Sequence, residues 1–372
     1  MEVVYPPVGI AHLTQQLPDL LADRMGSASQ MRVACVMQPK SEPHFGSAAV
    51  ILTAFALAQQ LQAAFHVGGS ALIDILDNAP GETLQIDGVT YCRCLSHQMH
   101  DGQSLAYRYT VPIERLARWA SDRAQIPFEI RRYPRIQAQP GFRHGLASML
   151  SRRDTFTPLF SPSEGVLRIR PVCSCGLVDK AARTVRLAGD GSTLRFRCGH
   201  HGPRSARIGN PDDVIDANAP IRTVLRSLCF HYDRRDHGIE TVVLNGGDWA
   251  GEWMQRVYFD GLGELGCTSR MAPFNMFTPQ ILDRSGAKLS KTIYLREGAY
   301  AGISPAWTSL TAFEARFGPG GLTRLWEEIT AWVRSPRKFF RNYSVDYFEY
   351  LFTQEEPQAA DGAHVRNPPQ NA

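Results

Sequence analysis

Apolar residues along the chain fall into two arrangements that follow one another twice. Residues 31 to 38, "MRVACVMQ", form a short, almost unbroken apolar run of strand length. After a Lys-Ser-Glu-Pro loop, "GSAAVILTAFALAQQL" reads as a helix from Gly46 onward. The same succession returns in "IETVVLNGGDW" (239 to 249), a buried strand running into a glycine loop, followed by the helix-like "AGEWMQRVYFDGL". A further strand is expected in "SALIDILD" (70 to 77). Between the two units the period shortens to that of hairpins, with "IDG" near 86 to 88 and "AGDGS" near 188 to 192 as turns. An amphipathic stretch from Pro220 to Leu228 leads into the second unit. Ser309 to Phe352 is helical in pattern, broken by "GPGG" at 318 to 321, and the polar, proline-bearing end reads as a disordered tail.

Two strand, loop, helix units with an insertion between them imply an α/β fold built on a doubly wound parallel sheet. The expected organisation is a first half of a nucleotide-binding domain over residues 1–100, an insertion over 101–205 and the second half over 206–300. A helical segment over 301–355 and a tail over 356–372 complete it. In such folds the ligand lies where the carboxyl ends of the strands meet the helix N-termini. Composition agrees: 372 residues, 44% hydrophobic and 20% charged, describe a globular chain with room for large cores. The apolar stretches fall short of the roughly 20 residues of a membrane span, and the N-terminus lacks a basic segment followed by an apolar one. The sequence therefore suggests a cytoplasmic protein with no membrane partner. A formal charge of +4 leans weakly toward anionic partners.

The first loop carries His44, Gly46 and Ser47 at a helix mouth, where unpaired N–H groups favour an anion and a histidine can donate to developing charge. Glycine at 46 would let backbone approach a ligand; the plainer alternative makes Ser47 a cap and His44 a loop residue. The second loop carries Gly246, Gly247 and Asp248, with a helix-capping turn carboxylate as the alternative for Asp248. "GAKLSKT" (286 to 292) adds Lys288, Ser290 and Lys291 on a glycine-led loop able to neutralise a departing pyrophosphate. Eight cysteines, several in close pairs, point to thiols kept reduced for metal. Residues 170 to 202 place Cys173 and Cys175 before a hairpin and Cys198, His200 and His201 after it, a zinc-ribbon layout. The expected ligands are Cys173, Cys175, Cys198 and His201, with His200 as the substitute and buried metal-free cysteines as the alternative. The second C-x-C, in "YCRCLSHQMH" (91 to 100), lacks a matching half and reads as structural.

"PHFGS" resembles the HIGH signature and "KLSKT" the KMSKS signature of class I aminoacyl-tRNA synthetases, in that order and with a strand before the first. With "RDHGIETVVLNGGDW" and the cysteine ribbon, residues 30 to 345 look most like the catalytic part of class I lysyl-tRNA synthetase. Ser47 stands in place of the second histidine of HIGH, and Trp249 where related enzymes commonly have histidine. The resemblance implies a Rossmann-like (HUP-type) domain that activates an amino acid with ATP and Mg2+, giving an aminoacyl adenylate and pyrophosphate, with Zn2+ structural in the insertion. It implies phosphate contacts from His44, Lys288 and Lys291, and nucleotide binding by Gly46, Ser47, Gly246, Gly247, Asp248 and Ser290. A lysine-like substrate would need a carboxylate; Asp74 and Asp77 are the candidates, with Trp249 beside them, unless either caps a turn. Such synthetases continue into a helical anticodon-reading domain that this sequence does not reach, so the expected acceptor is a small molecule, a carrier protein or a tRNA acceptor end. Basic, aromatic-bearing segments at 131 to 153 and 334 to 343 are either RNA contacts or ordinary helix faces. A noncatalytic tRNA-binding or regulatory paralogue and a nucleotidyltransferase of the same superfamily are the competing classes.

Overall fold

The computed structural model describes residues 21–22, 24–26, 28–163, 165–289, 300, 302–339 and 341–353. Five strands, β1 (Gln30–Met37), β2 (Gly68–Ile75), β3 (Phe128–Arg132), β4 (Ile239–Gly246) and β5 (Phe274–Thr278), form one sheet in the order β5-β4-β1-β2-β3. Every neighbouring pair is parallel; β1 sits centrally, with Gln30 opposite Gly68 on one side and Ile239 on the other. Parallel strands need both faces covered, which is why β1 reads as a continuous apolar run rather than an alternation: Val33, Ala34 and Cys35 are all fully buried. The order reverses between β1 and β4, and that reversal creates a crevice at their carboxyl ends.

Helix α1 (Phe45–Phe65) fills one face. It is apolar on all sides, and its 21 residues meet the length and composition of a membrane span. Here it is the central core helix, enclosed by the sheet, by α2 (Leu105–Ala124) and by a C-terminal helix introduced below. On the opposite face lie α3 (Pro140–Ser151) and α4 (Ala219–His237), the latter capped by Asn218 and closed by Gly238 at φ 65°. The C-terminal helix α5 (Leu310–Arg334) breaks at Gly318, whose φ of 62° is open to glycine, as the "GPGG" break leads one to expect. It, the short helical turn Pro305–Thr308 before it and α6 (Val345–Thr353) set Phe313, Trp307 and Phe348 around Phe45, with ring centroids 4.6 to 5.4 Å from the Phe45 ring. Glu42 adds a polar tie, accepting from Ser309 Oγ at 2.8 Å and Thr311 N at 3.0 Å at the start of α5. The first turn of α1 is thereby fixed from the C-terminal end of the described chain.

The insertion has two parts. A hairpin, Pro80–Ile86 with Val89–Cys94, turns at Asp87 and Gly88, both at positive φ, as the aspartate-glycine pair predicts. Its second strand then pairs with Leu177–Asp179, and a three-stranded ribbon follows: Arg186–Leu187, Thr193–Cys198 and Gly202–Arg207. This shifts the expected boundaries. The hairpin at 80–94 belongs with the ribbon, whereas β3, at 128–132, belongs to the main sheet. "FEIRR" is too short and too charged to announce itself as a core strand.

Asp74 on β2 links these elements. It is fully buried, and its carboxylate takes a paired contact from Arg131 of β3 at 2.8 and 3.1 Å and a further one from Arg226 of α4. Burial opposes its ionisation, but the two guanidiniums outweigh that and hold it below the usual carboxylate range. The triad's contribution is therefore present above the ordinary aspartate pKa and is lost as pH falls through the lower folded value. Replacing Asp74 by alanine leaves two buried cations without a counter-charge. A loss of about 3–5 kcal/mol is expected in urea unfolding at neutral pH; a loss below about 1 kcal/mol would show that the sheet does not depend on it.

Candidate active site

A cleft of about 330 Å³ opens at the carboxyl ends of β1 and β4, where the strand order reverses. His44, Gly46, Ser47, Gly246, Gly247, Asp248, Trp249 and Lys288 all border it, although up to 244 residues separate them in sequence. Ser290 and Lys291 lie outside the described residues.

On the β1 side, His44 is the N-cap of α1. Its backbone is extended (φ −87°, ψ 170°), and its Nδ1 accepts from the Ser47 backbone N–H at 3.3 Å. An accepting Nδ1 leaves the hydrogen on Nε2, which lies 3.4 Å from Ser47 Oγ. Histidine and serine thus share the cap, and the two sequence alternatives for this pair merge into one arrangement. Gly46 serves the ring: a Cβ there would lie 2.9 Å from His44 Cε1. The glycine is required by the imidazole folding back over the helix mouth, which differs from the expected close approach of a ligand to backbone.

On the β4 side, the chain turns through Gly247–Trp249. A Cβ on Gly246 would lie 2.6 Å from Asp248 Oδ1, and one on Gly247 would lie 2.9 Å from the Thr278 carbonyl at the end of β5. Gly247 is therefore a steric requirement of the loop that presents Asp248, while a side chain at Gly246 would displace the Asp248 carboxylate. That carboxylate is ion-paired with Lys288 Nζ across the cleft. The Lys288 loop is held by Asp283, whose Oδ1 accepts from the backbone N–H of Ser285 (2.9 Å) and of Ala287 (3.1 Å), and by Leu289 N bonding to the Ile281 carbonyl at 2.8 Å. Trp249, 40% exposed, offers an aromatic face on the rim.

Two bordering residues carry no motif. Lys40, in the loop between β1 and His44, is pulled below its usual range by burial and then by the Arg222 guanidinium. Among the described residues no carboxylate pairs with it. Its place three residues past a core strand, in the loop that ends at a helix mouth, is the signal that could have found it. Asn245 is 5% exposed, and its side-chain Nδ2 has no hydrogen-bond partner among the described residues. It leaves a buried donor beside the cleft, a feature that no local pattern encodes.

The expected carboxylate pocket is not formed. Asp74 is enclosed and neutralised by Arg131 and Arg226, so it cannot meet an ammonium group. Asp77 is turned to the Tyr133 backbone N–H at 3.2 Å, with Arg132 at 3.8 Å, and so takes the capping alternative; burial raises its pKa. Neither borders the cleft. Within the basic segment at 131 to 153, Arg143 is used internally, being 8% exposed and bonded to the carbonyls of Ile208, Pro211 and Asp213, whereas Arg135, Arg152 and Arg153 are exposed.

In the insertion, Cys173, Cys175, Cys198 and His201 bring one donor atom each within 4.8 Å of one another. Cys173 Sγ lies 3.2 Å from His201 Nδ1 and Cys175 Sγ 3.5 Å from Cys198 Sγ. Those separations suit the edges of a tetrahedron with bonds of roughly 2.0–2.3 Å. Gly176, at φ 80°, closes the C-x-C knuckle through Gly176 N to Cys173 O at 2.7 Å, doing with a left-handed residue what a second spacer residue does elsewhere. Without metal the thiols diverge. Burial opposes ionisation of Cys173, but hydrogen bonds from the Cys175 N–H and His201 bring it down to about 6, whereas burial pushes Cys175 up to about 11. His200 and the Cys92–Cys94 pair stand outside the set.

No protein-family profile and no curated protein matches the sequence. Solved structures do align with it. A putative arginyl-tRNA synthetase from Campylobacter jejuni aligns over 92% of this chain and 72% of its own at 9% identity and TM-score 0.33. Tyrosyl-tRNA synthetase from Archaeoglobus fulgidus, complexed with L-tyrosine, aligns over 93% and 98% at 12% identity and TM-score 0.37. Methionyl-tRNA synthetase from Mycobacterium tuberculosis, in complex with methionyl-adenylate, aligns over 85% and 66% at 12% identity and TM-score 0.42. The chain spans about half, 52%, of a glutamate tRNA ligase from Elizabethkingia meningosepticum. Likenesses at these identities and scores carry no residue role or substrate.

The cap geometry is open to test without any substrate. Gly46→Ala puts a methyl group into the His44 ring, so the ring must leave the cap. A shifted His44 imidazole proton signal and a stability loss of about 1 kcal/mol are expected; an unmoved ring would show that the cap does not need this glycine.

Proposed function

We propose that the protein activates a carboxylic acid of the amino-acid class with ATP, forming an acyl adenylate and pyrophosphate. The observation that supports this reading is the convergence of the helix mouth at His44, the Gly246–Asp248 loop and the Lys288 loop on one crevice at the strand-order reversal. In the reaction, a carboxylate oxygen of the substrate attacks the α-phosphorus, a new P–O bond forms, and the bond to the β-phosphate oxygen breaks as pyrophosphate leaves. His44 Nε2–H and the N–H groups of the first turn of α1 face charge that grows on the phosphates. Lys288 and Lys40 add cationic charge, and Lys291 is assigned the same role with Ser290 beside it. Asp248, released from Lys288, would accept the two ribose hydroxyls, with Gly246 and Gly247 permitting the nucleoside to approach. Mg2+ carried with ATP would neutralise phosphate charge. No covalent nucleophile is needed, because positioning and charge stabilisation suffice for this transfer.

Asp74, enclosed by Arg131 and Arg226, does not read the substrate's side chain, so lysine loses its expected counter-charge; Asn245 and Trp249 are the groups we assign to substrate contact. For the ribbon we propose Zn2+, since three thiols and an imidazole in a tetrahedral set are its preferred donors, and its contribution is to hold the insertion folded. All eight cysteines are free thiols, which fits a reducing, cytoplasmic compartment. The acyl acceptor is a small molecule, a carrier protein or a tRNA acceptor end.

Amino-acid-dependent exchange of labelled pyrophosphate into ATP, screened over the standard amino acids and their analogues, tests the central claim. His44→Ala and Lys288→Ala are each expected to lower exchange by about 100-fold or more. Full exchange in either variant removes that residue from the mechanism, and no exchange with any acid, with or without tRNA, removes the activity. For the metal, Cys198→Ser should cost the protein a content of about one zinc per chain; purified wild-type protein without zinc would overturn that assignment.

A further inference from the structure

A second recess, of about 210 Å³, lies in the insertion and shares no residue with the cleft. It is bordered by the turn of the first hairpin, at Gly88 and Thr90, by the loop that leaves Leu177–Asp179, and by Arg168. Three cations line it, Arg168, Lys180 and Arg183, against one carboxylate, Asp179, a net charge of +2. The cysteine and histidine donors of the ribbon are not among its lining residues.

None of the three cations has a carboxylate partner among the described residues. Arg168 is the most constrained. Its backbone N–H donates to Ser161 Oγ at 3.4 Å and its carbonyl accepts from Asn218 N at 3.2 Å, which fixes it beside the cap of α4. Its side-chain Nε is nevertheless buried with no hydrogen-bond partner among the described residues. That leaves the desolvation of a cationic donor uncompensated. Arg170, two residues on, is engaged instead: it donates to the Lys180 carbonyl at 2.9 Å and pairs with Asp216. Lys180 and Arg183 sit on a fixed loop. The Lys180 N–H donates to the Thr90 carbonyl at 2.9 Å, carrying the pairing of Tyr91 with Asp179 one step further. The Asp179 carboxylate accepts from the backbone N–H of Ala181 (3.1 Å) and Thr184 (2.6 Å) and from Thr184 Oγ1 (2.8 Å), so the acid is used to hold the loop. Between the two cations, buried Ala182 is kept at φ 58°, a left-handed conformation that alanine rarely takes.

We propose that this recess binds the phosphate group of a small molecule, either free phosphate or a phosphomonoester. A phosphomonoester presents three terminal oxygens and a charge of about −2 near neutral pH, which matches three cationic groups and a net +2. Forked guanidiniums suit paired contacts to such oxygens, and Lys180 adds a point charge. A single carboxylate brings half that charge and only two oxygens. Because the cations stand on elements that are already fixed, little ordering is needed when the anion enters. Once bound, it ties the hairpin turn, the loop into the ribbon and Arg168 to one another. The site stands whether or not the cleft activates an acid.

The test is isothermal titration calorimetry of the full-length protein in phosphate-free buffer, with inorganic phosphate, glycerol 3-phosphate and malonate as probes. Phosphate or its monoester should bind with a Kd of roughly 1 mM or tighter, and malonate, a dianion built of carboxylates, at least about 10-fold more weakly. Arg168→Met, and separately Lys180→Gln with Arg183→Gln, should each weaken phosphate binding about 10-fold or more, while the control pair Arg118→Gln with Arg153→Gln stays within about threefold of wild type. Lys180 and Arg183 are exposed, so the second variant keeps the fold, and an unchanged thermal midpoint without phosphate checks this for each variant. Tighter binding of the monoester identifies a phosphorylated small molecule as the ligand and tighter binding of phosphate the free ion; either upholds the site. The proposal is overturned if neither phosphate probe binds at about 10 mM, if the recess variants bind as wild type does, if the control pair weakens equally, or if malonate binds as tightly. It is also overturned if His44→Ala removes the binding and the recess variants retain it, which would place the anion in the cleft.

Discussion

One carboxylate, Asp74, couples the halves of this protein. It comes from β2 in the first half of the sheet domain, while Arg226 comes from α4, which the chain reaches only after the whole insertion. Arg131 joins from β3, and Arg226 also reaches the Cys35 carbonyl on β1 at 3.4 Å. Removing three charges from water is costly, and their attraction compensates only when each is well placed. The geometry that satisfies Asp74 is thus the geometry that brings the second half back beside β1. The crevice between β1 and β4 exists because that return is made.

Within the crevice, the groups a ligand would need are engaged with one another. Asp248 is paired to Lys288, and His44 is held over Ser47. On the function proposed above, an entering nucleotide would exchange these contacts for its own, the ribose taking the place of the ammonium and phosphate that of the serine. Lys40 and Asn245 differ, since neither has a partner to give up among the described residues. The cleft therefore combines groups that preserve its shape when empty with groups left free for whatever enters.

How much of this was legible depends on whether the signal was local. Strands β1 and β4 announce themselves because burial on both faces demands unbroken apolar runs, and the Asp87–Gly88 turn because only such residues take positive φ cheaply. The clustering of Cys173, Cys175, Cys198 and His201 was legible from spacing, despite the short knuckle that Gly176 makes possible. β3 was not, because "FEIRR" places its arginines to serve partners on β2 and α4 rather than to show a pattern. The same reason hid the role of Asp74, whose setting beside a cleft-forming strand suggested a ligand while its true neighbours lie 57 and 152 residues away. Gly46 was marked for an approach of ligand to backbone, whereas the crowding seen there is set by a ring two residues earlier. Ser290 and Lys291 rest on motif alone.

The contact of α5 and α6 with Phe45 has a mechanical meaning. Phe45 is the first residue of α1, and it follows His44 directly. Trp307, Phe313 and Phe348 grip its ring from three sides while Glu42 is tied to the start of α5. The C-terminal helices thus act as a buttress behind the helix mouth: a load applied to them, by a bound molecule or by local unfolding, arrives one residue from the imidazole. Stiffness of the helix mouth is set from the C-terminal helices.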